Sequence, residues 1–295
     1  MGILKPLEVA GMFSETYVRL VLAVAPFVVC LALALEPKFK LRGLFWLGGA
    51  FFFALGVLTK GAAPWACFPW LILAIMNAGG SLLAFSRETG RSLSGLAVLA
   101  SDLYLPVGAI WALFDQFRYQ PMGFSGIIVL LTGVHFHYAG FALPRLTGLW
   151  LAKQKGQLVF RLSTWGVIAG VPLVAVGITT SQMRMSPAIE LVAVTILAFS
   201  AFTVSLGQAT WAFPASSLPP ASRLLFGAGG LCLAGGMVLA TIYGWRSVFP
   251  VAWATIPAMY AVHGTLNSLG FCLPGFLAWH LAARRAVRGG QSPRA

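Results

Sequence analysis

Three of the chain's four histidines fall in two short stretches, each inside an otherwise apolar run and each closing on Gly-Phe-x-Leu-Pro. The first reads His135-Phe136-His137-Tyr138-Ala139-Gly140-Phe141-Ala142-Leu143-Pro144. The second reads His263-Gly264-Thr265-Leu266-Asn267-Ser268-Leu269-Gly270-Phe271-Cys272-Leu273-Pro274. A histidine in hydrocarbon loses its hydration, so it needs a partner, a water-filled cavity or a chemical task. Imidazole donates and accepts protons and ligates metals, so the chemistry on offer is acid–base work or ligation. Asp102 is the only carboxylate deep in an apolar segment. Exposing it to lipid costs several kcal/mol, so it faces the bundle interior, protonated or ionised beside a histidine.

Asn77, Asp102, His135 and His263 all fall within about one helical turn of their segments' midpoints. His137 and Asn267 lie slightly inward and are equivalent, each three residues before the shared glycine. Two residues apart on a helix, His135 and His137 point about 200° from each other, so one serves a central site and the other a neighbouring helix. Gly133 and Gly140 make a local break conceivable. His135 shares a face with Tyr138, and His263 with Asn267. The expected acid–base groups are therefore Asp102, His135, His137 and His263, with Asn77, Tyr138 and Asn267 as substrate-binding groups. A plain Asp102–histidine bond that ties two helices is the competing reading, and such bonds contribute only about 0.6 kcal/mol. His280, beside Arg284 and Arg285, reads as a headgroup-level residue.

These groups are positioned by membrane helices. The 295 residues are 59% hydrophobic and only 9% charged, with a mean hydropathy of +0.85. A soluble domain carries about 25% charged residues. Long apolar runs, rather than alternating strands, predict an all-α polytopic transmembrane bundle. Nine spans are predicted, roughly 16–35, 43–59, 65–86, 93–114, 124–147, 161–180, 187–208, 222–243 and 250–273. They form one domain over 1–283, followed by a basic cytoplasmic tail over 284–295. With the N-terminus outside, fourteen of the twenty Lys and Arg residues fall on the inner side and six on the outer. That bias favours nine spans, N-out and C-in. It also explains the net charge of +13 without nucleic acid, because the basic residues are scattered between apolar runs. The partners expected are the lipid bilayer and a lipophilic small molecule.

Gly140-Phe141-Ala142-Leu143-Pro144 and Gly270-Phe271-Cys272-Leu273-Pro274 lie four spans apart, as do Leu83-Ala84-Phe85-Ser86 and Leu197-Ala198-Phe199-Ser200. This points to a parallel four-plus-four repeat with the first span extra. Cys30, Cys67, Cys232 and Cys272 lack CxxC spacing and read as small buried hydrophobes. The first span, with Glu8 and Glu15 before it and its basic cluster after it, does not read as a cleaved signal peptide. Walker, GxGxxG, GxSxG and HExxH motifs are missing from the sequence, and Asp102 has no acidic neighbours for magnesium diphosphate.

Three function classes remain. One is a cofactor-free intramembrane isomerase or cyclase acting on a lipophilic substrate such as an isoprenoid or polyketide. Another is a haem- or metal-binding protein using His135, His137, His263 and Asp102, although the i, i+2 spacing is poor for joint ligation. The third is a transporter for a small molecule or protons. HFHYAGFALP and HGTLNSLGF, with the predicted topology and length, resemble the YndJ-like membrane proteins of bacteria. The resemblance implies a multi-pass bacterial inner-membrane protein and leaves the activity open. Longer members carry a further domain after the membrane part, which this chain is expected to lack.

Overall fold

The computed structural model describes residues 6–36, 39–88, 91–154 and 157–288, with the side chains of 6–14, 40–41 and 286–288 left out. Lys5, Lys38, Lys155 and most of the predicted tail, from 289 onward, lie outside the described residues. Within them every regular element is helical and no strand occurs. Nine helices follow in chain order. They are α1 (Pro6–Leu33), α2 (Phe39–Leu58), α3 (Phe68–Arg87), α4 (Leu93–Gln116), α5 (Gly126–Leu151), α6 (Leu158–Gln182), α7 (Pro187–Ala212), α8 (Pro220–Gly244) and α9, which starts at Ile256 and ends in Leu273–Arg288. Eight are long and apolar enough to cross a bilayer, and the apolar part of α2, Arg42–Leu58, sits at the short end of the spanning range. The result is a polytopic helical bundle.

Its outer surface is a belt of apolar side chains, including Leu44, Phe45, Met76, Phe199 and Leu231. Water would penalise such a surface; lipid does not. The interior is filled by large buried side chains such as Trp70, Trp150, Phe53, Phe141 and Phe226. Two ion pairs lie at the end predicted to face outward. Arg19 on α1 meets Asp115 on α4 at 2.6 Å, and Arg246 after α8 meets Glu190 on α7 at 2.7 Å. Each neutralises a charge close to the hydrocarbon by pairing two different helices.

The last span differs from its predicted bounds. Residues before Thr255 form turns, and Thr255 caps the helix by accepting from the Ala258 amide, with Pro257 in the first turn. The helix then passes Pro274 and continues to Arg288. A proline lacks the N–H and its ring clashes with the carbonyl four residues back, which opposes a regular α-helix there. The chain solves this by changing its winding. Residues Phe136–Ala142 of α5 are π-helical, as are Met259–Gly264 and Leu266–Cys272 of α9. Both repeated stretches therefore end their π-turns at the residue before Leu-Pro, and in both the residue four before proline is glycine. Such wide turns occur mostly at functional sites.

Candidate functional site

The structure divides the predicted site residues among three places. The first surrounds Asp102, which is 1% exposed. Its Oδ1 accepts from Asn77 Nδ2 at 2.7 Å and from Arg145 at 2.8 Å, and its Oδ2 accepts from Ser81 Oγ at 2.6 Å. Arg145 also pairs with Glu36, three residues beyond α1, and stacks over the Phe141 ring. Asp102 is thus ion-paired to an arginine, with no histidine beside it. The charge count placed Arg145 among the inner-side residues; it is in fact 3% exposed, drawn into the bundle by this carboxylate. All three of its donors come from α3 and α5, so the network clamps those helices to α4. Asn77 belongs to this clamp.

The second place is His137, 1% exposed. Its Nδ1 donates to the Gly133 carbonyl at 2.7 Å, and its Nε2 accepts from Trp70 Nε1 at 3.0 Å. Both ring nitrogens are satisfied, which fixes the Nδ1–H tautomer. Phe53 packs against the ring. His137 therefore joins α5 to α3. Replacing it with Phe is expected to lower stability by about 1–3 kcal/mol, because the Trp70 N–H is left buried without an acceptor. Thermal unfolding of the detergent-solubilised protein checks this; an unchanged midpoint would contradict it.

The third place is a largely apolar cavity of about 400 Å³, lined mainly by residues of α1 and of α4 to α9. Its lining runs from Gln182 and Arg246 at the predicted outer end to Leu143 and Cys272 near the centre. His135, Tyr138, His263 and Asn267 all lie on its wall. The Tyr138 hydroxyl donates to the Val21 carbonyl at 2.9 Å. His263 Nδ1 donates to the Gly236 carbonyl at 2.8 Å, so its Nε2 is free to accept from Asn267 Nδ2 at 3.1 Å. That leaves Asn267 Oδ1 without a partner, and His135 Nε2 also has none. Tyr17, also on the wall, is hydrogen-bonded to Thr265. At the outer end Glu190 and Arg246 line the same space, with the Arg246 guanidinium 4.0 Å from the Tyr243 ring centre.

The two π-turns are seated alike. A Cβ placed on Gly108 of α4 would stand 2.7 Å from His137 Nδ1. One on Gly236 of α8 would stand 2.2 Å from Asn267 Oδ1. In each case a glycine on the preceding long helix thus admits the polar side chain three residues before the shared glycine. The two seats then diverge: Trp70 closes off His137, whereas Asn267 remains on a cavity wall.

The family model described as YndJ-like protein matches residues 18–271. The chain belongs to the YndJ-like family. An uncharacterized membrane protein YndJ of Bacillus subtilis (strain 168) is 27% identical over 236 residues, covering 79% of this chain and 41% of that protein. The chain therefore spans about two fifths of the length of that curated relative. No solved structure matches. The region shared with YndJ-like proteins includes Asp102, Arg145, the first histidine stretch and the second as far as Phe271.

Several residues of these sites escaped the sequence reading. Arg145 follows Pro144 directly, and its depth in the fifth span was the available signal that it could meet Asp102. Ser81, one turn beyond Asn77 on the same face of α3, carried an i, i+4 signal. Trp70 and Tyr17 had none, because aromatic residues near span ends read as an interfacial belt. The four residues considered together as metal ligands do not meet at one point. Asp102 and His137 are engaged elsewhere, and among the described residues no three of His, Cys, Asp or Glu cluster as ligands.

Proposed function

We propose that the protein is an intramembrane acid–base enzyme of the bacterial inner membrane whose working site is the cavity between the two π-wound helices. Its substrate is a lipophilic small molecule of isoprenoid or polyketide size. The observation that carries this reading is that His135 and His263 line one largely apolar cavity. His263, oriented by the Gly236 carbonyl and Asn267, supplies a second imidazole on the same wall. An apolar chamber with a few converging polar groups is the usual form of a small-molecule site, and about 400 Å³ lies within the usual range. Isomerisation or cyclisation needs proton donors and acceptors in a dry, shaped space. Asp102 and His137 hold helices in this reading and transfer no protons.

The test uses membranes carrying the wild-type protein or a variant, incubated with a lipid extract of the native membrane and followed by chromatography and mass spectrometry. Wild type is expected to convert one lipophilic component into an isomer of equal mass. His135→Phe and His263→Leu should slow this by about 10²–10⁴-fold, the usual contribution of a positioned acid or base. His137→Phe should retain it. No wild-type-dependent conversion, or full conversion by both cavity variants, would remove the enzyme reading. The matching seats of Asn267 and His137 favour a second reading, a transporter built from two halves. Uptake into proteoliposomes without chemical change would select that one.

A further inference from the structure

The polar end of the cavity restricts the ligand's chemistry further, on the premise that the cavity takes up a lipophilic molecule. Among the described residues three arginines form ion pairs, and two of them each hold two carboxylates. Arg145 pairs with Asp102 and Glu36. Arg19 turns its Nη1–Nη2 edge to Asp115, at 2.6 and 3.1 Å, and donates from Nε to Glu15 at 2.9 Å. Arg246 repeats only the first half of the Arg19 arrangement. Its Nη1 and Nη2 donate to the two oxygens of Glu190 at 2.7 and 3.3 Å, and Nη1 also donates to the Tyr243 carbonyl. Among the described residues nothing accepts from its Nε. Arg246 is also the most accessible of the three. Its side chain is 31% exposed, against 8% for Arg19 and 4% for Arg145.

Arg246 lines the cavity together with Glu190, Tyr243 and the exposed Gln182. A guanidinium edge formed by Nε–H and Nη2–H matches the two oxygens of a carboxylate. A ketone, ether or ester brings no charge to it. A phosphate monoester would set about two negative charges beside Glu190, where a carboxylate sets one. Inward from Arg246 the wall is apolar, with Ala240, Met237, Met259 and Leu233. Gly236, about 10 Å along α8 from Tyr243, accepts from His263 Nδ1 at 2.8 Å. We propose that the ligand is a lipophilic carboxylic acid whose carboxylate takes the Nε–Nη2 edge of Arg246, while its apolar chain runs inward to His263. The ligand thus supplies the second carboxylate that Arg19 and Arg145 receive from the chain itself. Chemistry at His263 would then act on the apolar part of the acid, about 10 Å from its head.

The experiment measures equilibrium binding of radiolabelled palmitate to the detergent-purified protein at alkaline pH, where the acid is ionised. Unlabelled palmitate, methyl palmitate and hexadecyl phosphate compete with it. Palmitate is expected to bind at least tenfold more tightly than its ester, which cannot form the charge-assisted pair. Arg246→Lys should reduce that preference to about threefold or less, because an ammonium has no fork and stays with Glu190. Glu190→Gln should raise the affinity for palmitate at least threefold, because the carboxylate that shares the guanidinium is gone. Equal binding of acid and ester would overturn the inference while leaving a lipophilic site in place. Unchanged palmitate affinity in both variants would overturn the part given to Arg246. Tighter binding of hexadecyl phosphate would overturn the choice of a carboxylate. Saturable binding of none of the probes would overturn the cavity reading together with the inference. The wild-type comparison stands even if a variant fails to fold.

Discussion

Asp102→Asn is expected to destabilise the folded protein by about 3–5 kcal/mol, the cost of leaving one partner of a buried ion pair uncompensated. Arg145 is 3% exposed, and its contact with Asp102 measures 2.8 Å. Asparagine keeps one acceptor oxygen but turns an NH₂ group toward either Ser81 or Arg145, which bring donors of their own. The clamp joining α3, α4 and α5 would then hold an unneutralised guanidinium in its centre. A thermal-aggregation assay by size-exclusion chromatography in detergent should show the transition at much lower temperature. The double variant Asp102→Asn/Arg145→Gln should recover part of the loss, because no net charge is then stranded. If Asp102→Asn proves as stable as wild type, the carboxyl is protonated in the native protein and the ion-pair account fails. If it keeps its stability but loses turnover, Asp102 belongs to the chemistry after all.

Gly236→Ala is expected to damage the cavity more than its size suggests. The added Cβ would stand 2.2 Å from Asn267 Oδ1 and 3.0 Å from Cγ, closer than atoms approach. The amide must move, and its contact with His263 Nε2 at 3.1 Å goes with it. Overpacking of this kind costs about 1–3 kcal/mol of stability. Turnover of the lipophilic component should fall at least tenfold, since the amide orienting His263 is displaced. Gly108→Ala is the matched control at the other seat. There the Cβ meets His137 Nδ1 at 2.7 Å and Phe136 Cβ at 3.1 Å; His137 lies off the cavity, although Phe136 lines it. It should show a comparable stability loss with most of the turnover retained. Equal turnover losses in both variants would mean that the two seats are not functionally distinct.

The paired stretches show how far a sequence alone can be read. His135 and His137 were expected to diverge because they lie two residues apart on a helix, and they do: one lines the cavity and the other bonds to Trp70. His263 and Asn267 were expected to share a face, and they are hydrogen-bonded. Both results follow from the helical repeat within one segment. The π-turns were less accessible. Gly133 and Gly140 marked a possible local break in the fifth span, but the choice of a wide turn there, and again in α9, depends on what packs against it. The extent of α9 beyond Pro274 was not foreseen.

The gathering of polar groups into one site is where depth alone proved insufficient. Asp102 meets Arg145, ten residues and about 15 Å beyond His135 along α5, so similar positions within the spans did not bring these groups to one level, and position along a span does not specify direction. Asp102 and Asn77 turn toward Arg145, His137 turns toward Trp70, and only His135, Tyr138, His263 and Asn267 turn toward the cavity. By itself the sequence determined that this is a helical membrane protein, how many segments it has, and which few polar residues are too costly to leave in lipid. Those are properties of local composition and of the transfer energy of each side chain. Only the tertiary structure decided which polar groups satisfy one another and which residues line the cavity. That choice depends on the rotation of each helix about its axis and on the small residues that let neighbours approach, and both are set by packing between segments far apart in the chain.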